Sequence, residues 1–326
     1  MQIFLIGIVF LNIILYFFNS NIANILNLFD IPDGKRKIHY APVPLTGGII
    51  IFLNISYCFI FNQLNVGIEL FDNIKNLNIF FLSCFVLWLL GIIDDKKNIS
   101  ANLKFLIILF IIIINLLFDK SIIINKVYLT FFNEFNLGFF AYIWTAICFL
   151  LFINAFNMFD GINLQTAIYS SFICLIFILN SFLSNFFLII LFSLTIFGLL
   201  NLKNKSFMGD SGTYLLSYLF SYFFIRSYNE FSLFYADEIV LIMLIPGLDL
   251  MRLFIIRILK KRHPFSPDKQ HLHHYLLNRL GYYRALLIIQ SLIIVPIIIS
   301  LLINQIVILL MVQFFVYSFL ILKFKN

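Results

Sequence analysis

Apolar residues occur in this chain in long runs, and polar residues in short interruptions between them. The runs lie near positions 1–18, 44–61, 79–93, 103–118, 138–154, 163–180, 184–200, 211–226, 237–258, 284–302 and 304–322. A bilayer crossing needs about 20 mostly apolar residues at about 1.5 Å each. The pattern therefore predicts an all-α integral membrane protein with eleven transmembrane helices. One interruption differs: in 121–132, Val127, Tyr128, Leu129 and Thr130 stand beside repeated Ile, which suits a short β-hairpin lying on the membrane. There is no internal repeat and no soluble segment, so residues 1–326 read as one polytopic domain. The first run lacks a basic leader and a small-residue cleavage site and is expected to stay as a span.

Composition sharpens this reading. Hydrophobic residues make up 62% of the chain and charged residues 11%, against about 25% charged in soluble domains. A water-soluble fold could not hide that much apolar surface. Cys58, Cys84, Cys148 and Cys174 lie in or beside apolar runs without metal-ligand spacing, so they read as buried free thiols. With the N-terminus periplasmic, every basic residue except Lys75, Lys120, Lys126 and Arg226 falls on the cytoplasmic side or in its flanks. This bias orients the chain in the inner (plasma) membrane with its C-terminus in the cytoplasm. It also accounts for the net charge of +7 through anionic membrane lipids, without nucleic acid as a partner.

The same topology puts the chemically interesting acids on the cytoplasmic face. Asp94 and Asp95 close an apolar helix, where carboxylates meet the unfavourable end of the helix dipole. They are either solvated neighbours of Lys96, Lys97 and Lys104, or a Mg²⁺ or phosphate-handling pair. Asn154, Asn157 and Asp160 recur at three-residue steps at the end of a span, which suits either helix contacts or a wet cavity. In Gly209-Asp210-Ser211-Gly212, a carboxylate sits in a Gly-flanked turn before a new helix, where free N–H groups favour an anion. The longest cytoplasmic loop, 257–284, gathers Lys269, His271, His273, His274 and Arg279. A polybasic lipid contact, a zinc site and recognition of phosphate or sugar are its three readings, and the four histidines clustered there favour the last.

Taken in order, Asp30-Ile31-Pro32-Asp33-Gly34-Lys35-Arg36-Lys37-Ile38-His39, Pro42, Pro44, Gly47, Gly48, Asp94-Asp95, 154–160, Asn201, 207–213, Asp249 and Ser266-Pro267-Asp268-Lys269-Gln270-His271-Leu272-His273-His274 resemble the polyprenyl-phosphate N-acetylhexosamine-1-phosphate transferase family. The likeness is to its undecaprenyl-phosphate GlcNAc-1-phosphate transferase branch. It departs from the family at Asn163, where a second carboxylate is usual, at Lys269 in place of Arg, and at Ser217 in place of Gly.

The resemblance implies transfer of N-acetylhexosamine 1-phosphate, with GlcNAc as the default, from a UDP-amino sugar to polyprenyl (undecaprenyl) phosphate. UMP would leave, and the product would initiate a cell-envelope glycan such as O-antigen. It implies Asp94, Asp95, Asp160 and Asp210 as catalytic residues. Mg²⁺, replaceable by Mn²⁺, would be held by Asp210, Asn157 and Asp94. Substrate contacts would come from Lys37, His39, Lys104, Asn157, Asn163, Asn201, Lys269, His271, His273, His274 and Arg279. A homodimer is compatible with it. Two alternatives stay open: a transporter or flippase of lipid-linked sugars, and an inactive relative.

Overall fold

The computed structural model describes residues 2–32, 41–64, 66, 68–71, 73–264, 266 and 268–325. Its helices are α1 (Gln2–Phe17), α2 (Asn19–Leu26), α3 (Gly47–Gln63), α4 (Ile74–Lys97), α5 (Ala101–Phe118), α6 (Ala141–Phe159), α7 (Gln165–Leu179), α8 (Ser184–Leu202), α9 (Gly209–Phe231), α10 (Ala236–Leu259), α11 (Leu272–Leu280), α12 (Tyr282–Ser300) and α13 (Ile306–Phe324). Two short antiparallel pairs complete it, β1 (Phe29–Asp30) with β2 (Val43–Pro44), and β3 (Lys126–Leu129) with β4 (Phe132–Asn136).

Each of the eleven apolar runs falls on a helix, so the all-α membrane class stands. Among the described residues, seven helices are long and apolar enough to cross a membrane, or eight if the α1–α2 pair, bent by 67°, counts as one span. The 17 residues of α3 and the 15 of α7 form shorter apolar helices. The hairpin lies further along the chain than the sequence places it. Residues 120–122 form a 3₁₀ turn, and Ile122 and Ile123 are buried, so the repeated Ile face the protein, and 132–136 supplies the second strand.

The chain divides into two units. Unit 1 comprises 1–120 and 166–220, and unit 2 comprises 121–165 and 221–326. In unit 1, α3 packs against α1, α4 and α8, and α4 pairs with α5. Lipid tails are as apolar as leucine, so helices in a bilayer associate through close packing and buried hydrogen bonds. Both are present. Asn12 on α1 and Asn54 on α3 exchange side-chain hydrogen bonds, at 2.7 and 3.1 Å. Tyr218 donates to Asn115, which donates to Ser83, each at 2.8 Å, joining α9, α5 and α4.

Glycines let three backbones meet at the start of α9. The N–H groups of Gly47 and Gly48 donate to the carbonyls of Phe207 and Met208 at 3.0 and 3.1 Å. A Cβ on Gly48 would lie 2.5 Å from Gly212 N, and one on Gly91 would lie 2.2 Å from Ser211 Cα. No side chain fits there unless a backbone moves.

In unit 2, α10 is the central helix, packed against α6, α12 and α13, while α11 lies on α12 and α13. The hairpin is tied to helix ends: Tyr228 accepts from Tyr128 N and donates to Lys126 O, both at 2.7 Å. Asp237, in the first turn of α10, accepts from the backbone N–H and the hydroxyl of Thr130.

Gly91→Ala is expected to destabilise the protein by about 1–3 kcal/mol, the usual cost of overpacking. Gly247→Ala, where an added Cβ meets nothing within 4 Å, should leave the melting temperature unchanged or slightly raised. Thermal melts in detergent compare them, and equal shifts would contradict the close α4–α9 contact.

Candidate functional site

The acidic motif at the end of α4 acts on another helix. Asp95 Oδ1 accepts from Asp210 N at 2.8 Å, and Oδ2 accepts from Ser211 N at 3.3 Å, so a carboxylate at the end of α4 caps the start of α9. The first N–H groups of a helix lack intrahelical partners and carry the positive end of its dipole. The charge that is unfavourable at its own helix terminus is therefore favourable at the neighbour's. Gly209 precedes this contact with φ +71°, and a Cβ there would lie 2.7 Å from Asp95 Oδ2.

Asp94 is buried and takes three other donors. Its Oδ1 accepts from Ile99 N at 2.8 Å, and its Oδ2 accepts from Lys104 Nζ at 2.6 Å and from Tyr214 OH at 3.3 Å. Of the three lysines that follow Asp95, Lys104 thus supplies the compensating charge through a partly buried ion pair, while Lys96 and Lys97 are exposed. Asp210, in the first turn of α9, is partly exposed. Tyr214, one turn further along α9, lies within electrostatic reach of Asp94, Asp95 and Asp210. Asn201 donates to Ser206 O at 2.8 Å and so braces the turn that delivers α9.

Among the described residues, no three His, Cys, Asp or Glu side chains form a ready metal cage. In unit 1 the partly exposed carboxylate of Asp210 has the chemistry that a hard divalent cation takes, since Mg²⁺ keeps several waters and needs only one or two carboxylates. Both oxygens of Asp94 already accept from Ile99, Lys104 and Tyr214. Asn157, the remaining member of the expected ligand set, belongs to unit 2.

Unit 2 assembles a second cluster. α6 ends with Asn157 in its last turn and Asp160 at its C-cap. The next residue, Gly161, lies so close to His273 that a Cβ there would be 2.1 Å from the ring Nε2. The central motif and the histidine loop, far apart in sequence, are thus in contact. Asn163 contributes its carbonyl, which accepts from Tyr282 OH at 3.0 Å.

Asp249 on α10 anchors the loop. Its carboxylate pairs with His271 Nδ1 at 2.9 Å and accepts from Arg252 Nη2 and Tyr317 OH at 2.8 Å each, and from Leu272 N at 3.3 Å. Arg257 donates to Asp268 at 2.9 Å and to Pro264 O at 2.7 Å. Burial works against the Asp268 carboxylate, but Arg257 and the Gln270 N–H hold it below the usual carboxylate value.

The rings of His271 and His273 stack at 5.1 Å, and that of His274 lies 4.3 Å from His273. Burial, helped by the neighbouring imidazoles, holds His273 well below the ordinary histidine value; burial, with His271 and Lys269 nearby, lowers His274 to about 4. Near neutral pH these two rings are neutral hydrogen-bonding groups rather than cations. Lys269 and Arg279 are exposed. Lys37 and His39 lie outside the described residues.

Sequence reasoning singled out neither Tyr214 nor Arg252, and it took Asp249 only as part of the family resemblance and Arg257 only as part of a basic loop. The available signals were the Asp210/Tyr214 spacing of one helical turn and the Asp249/Arg252 pair inside an apolar run.

Residues 77–228 match the sequence profile of glycosyl transferase family 4. The undecaprenyl-phosphate alpha-N-acetylglucosaminyl 1-phosphate transferase of Escherichia coli K12 is 28% identical over 293 residues, covering 85% of this chain and 76% of the relative. The protein of the same name from Thermotoga maritima is 29% identical over 283 residues, covering 85% and 84%. The probable undecaprenyl-phosphate N-acetylglucosaminyl 1-phosphate transferase of Bacillus subtilis is 29% identical over 252 residues, covering 74% and 68%.

Because His274 has a folded value of about 4, below the unfolded value of about 6.5, the unfolded chain binds more protons between those two pH values. Stability therefore falls as pH drops through that window. His274→Gln removes this proton uptake, so its melting temperature should decline less than that of the parent between pH 7 and pH 4.5, two assay points chosen at about the ends of the window. Parallel pH profiles would contradict the buried, neutral state of this ring.

Proposed function

We propose that this chain is a member of glycosyl transferase family 4 and that it transfers N-acetylhexosamine 1-phosphate from a UDP-sugar to undecaprenyl phosphate and releases UMP. The observation that carries the reading is the capping of α9 by Asp95, which sets Asp210 beside two further carboxylates at a helix N-terminus. The curated relatives, named as undecaprenyl-phosphate GlcNAc-1-phosphate transferases, supply the substrate class and make GlcNAc the default sugar.

In this reaction an oxygen of the lipid phosphate bonds to the β-phosphorus of the UDP-sugar, and the bond from that phosphorus to the oxygen it shares with the α-phosphorus breaks. The nucleophile needs little activation, since a phosphate monoester has a second pKa of about 6 and is largely ionised at neutral pH. Bringing two anions together is the main obstacle. Asp210, with Asp94, would hold Mg²⁺ or Mn²⁺, which would supply positive charge to the diphosphate of the UDP-sugar and so to the UMP that leaves. Asp95 fixes the first turn of α9 and with it the position of Asp210.

Asp94 orients the Lys104 ammonium toward phosphate. Lys269 and Arg279 add exposed positive charge, and neutral His273 and His274 hydrogen-bond to sugar or phosphate. Asn157, Asp160 and the Asn163 carbonyl line the turn beside them, with Asp160 also available as a nucleophile in a two-step route. The charge bias of the loops supports chemistry at the cytoplasmic face of the inner membrane.

UMP released from uridine-labelled UDP-GlcNAc is the direct readout, with purified protein, undecaprenyl phosphate and Mg²⁺. Release should require the lipid, and Asp210→Asn should lower it by about 10²–10³, the usual cost of losing a group that stabilises transition-state charge. Release with no other UDP-amino sugar either would mean that the activity has been lost.

A further inference from the structure

The β3–β4 hairpin has one polar and one apolar face, although neither strand alternates cleanly in sequence. Val127 pairs with Phe135 and Leu129 with Phe132, so three steps along β4 span two along β3. Cross-strand partners point to the same side of a sheet, and Val127 and Leu129, two apart, share a side. The extra residue in β4 therefore brings Phe132 and Phe135 onto the same face as Val127 and Leu129, as a β-bulge does. Lys126 and Glu134 pair with each other at 2.9 Å, which neutralises the charges of the hairpin.

The apolar face is uncovered. Phe131, Phe132, Phe135, Phe139 and Phe140 are 58% to 87% exposed. The last two lead directly into α6, on which Ile143, Ile147 and Leu151 form an exposed stripe at helical spacing. The aromatic patch is thus continuous with the apolar side of a membrane-crossing helix. Its location follows from the length of that helix. The 19 residues of α6 span about 28 Å at about 1.5 Å each, close to the bilayer core of about 30 Å. Asp160 closes one end of α6, so the hairpin at the other end lies at the opposite membrane boundary.

We propose that the hairpin is an interfacial anchor whose Phe132/Phe135 face is embedded at the headgroup–acyl boundary of the leaflet opposite Asp160. Phe and Leu on the apolar face of an interfacial element bury at that boundary, and an ion-paired, charge-neutral hairpin can approach it without stranding a charge. The hydrogen bonds to Tyr228 and Asp237 fix the hairpin to the ends of α9 and α10, so the docked conformation is held before contact with lipid. The membrane contact differs from the one the sequence suggests: the repeated Ile face inward and the phenylalanines of the second strand and the following turn face outward.

The test is depth-resolved fluorescence of the full chain in lipid vesicles. With Trp88 and Trp144 replaced by Phe, a single tryptophan is placed at Phe135→Trp, or at Tyr128→Trp on the other face. The Phe135→Trp probe should lose more of its emission to lipids brominated near the headgroup than to lipids brominated deep in the chain, and resist aqueous iodide. The Tyr128→Trp probe should respond more to iodide. Iodide quenching of the Phe135→Trp probe without bromolipid quenching would overturn the anchor by showing that face in water. Protection from both quenchers would overturn it in favour of a protein partner, such as a second copy of the chain.

Discussion

The hydrogen bonds from the first N–H groups of α9 to Asp95 are the contact on which the unit 1 site depends. In lipid, a helix end cannot take its missing partners from water, and an unpaired carboxylate is costly. Bringing the two together solves both problems. A hydrogen bond to a charged group contributes about 1.5–3 kcal/mol, and a carboxylate at a helix N-terminus adds about 0.3–1 kcal/mol. The contact is possible because Gly91 and Gly48 let α4 and α3 approach the backbone at Ser211 and Gly212. The same contact leaves Asp94 to Lys104 and Tyr214, and sets Asp210 at the exposed edge of the cluster.

Unit 2 follows a related logic with a different charge balance. Asp249 is a buried acid with Arg252, His271 and Tyr317 around it, so its charge is balanced within the cluster. Removing one member of such a set typically costs about 3–5 kcal/mol, because the partner charge is left buried. That rigidity orients the loop: His273 is held against Gly161, at the end of the helix that carries Asn157 and Asp160. Both clusters use a carboxylate inside one helix to position the start of another element, α9 in the first and α11 in the second.

The helices were legible because lipid imposes long apolar runs, and each of the eleven runs is a helix. Candidate residues such as Asp94, Asp210, Asp160 and His273 could be picked out in the sequence because polar groups at span ends stand out against that background. The partners were not. Asp95 and Asp210 are 115 positions apart, and nothing in either motif announces that one caps the other. Tyr214 looks like an ordinary member of an apolar helix until its neighbours are known, and Asp249 stands out as an acid in an apolar run without showing that His271 and Tyr317 are its partners. The hairpin register depends on a bulge that strand alternation cannot predict, and α11 is a nine-residue amphipathic helix hidden within a polar loop.

Thermal stability and turnover of Asp95→Ala, measured on one preparation, separate a residue that holds α9 from one that acts on substrate directly. Loss of a charged cap should lower the melting temperature by about 5 °C, taking about 2–4 °C per kcal/mol, with turnover falling alongside it. Asp95→Asn keeps one acceptor oxygen and should show a smaller shift. An unchanged melting temperature in Asp95→Ala together with lost turnover would contradict the helix-capping role, and would instead place Asp95 in contact with the reacting groups.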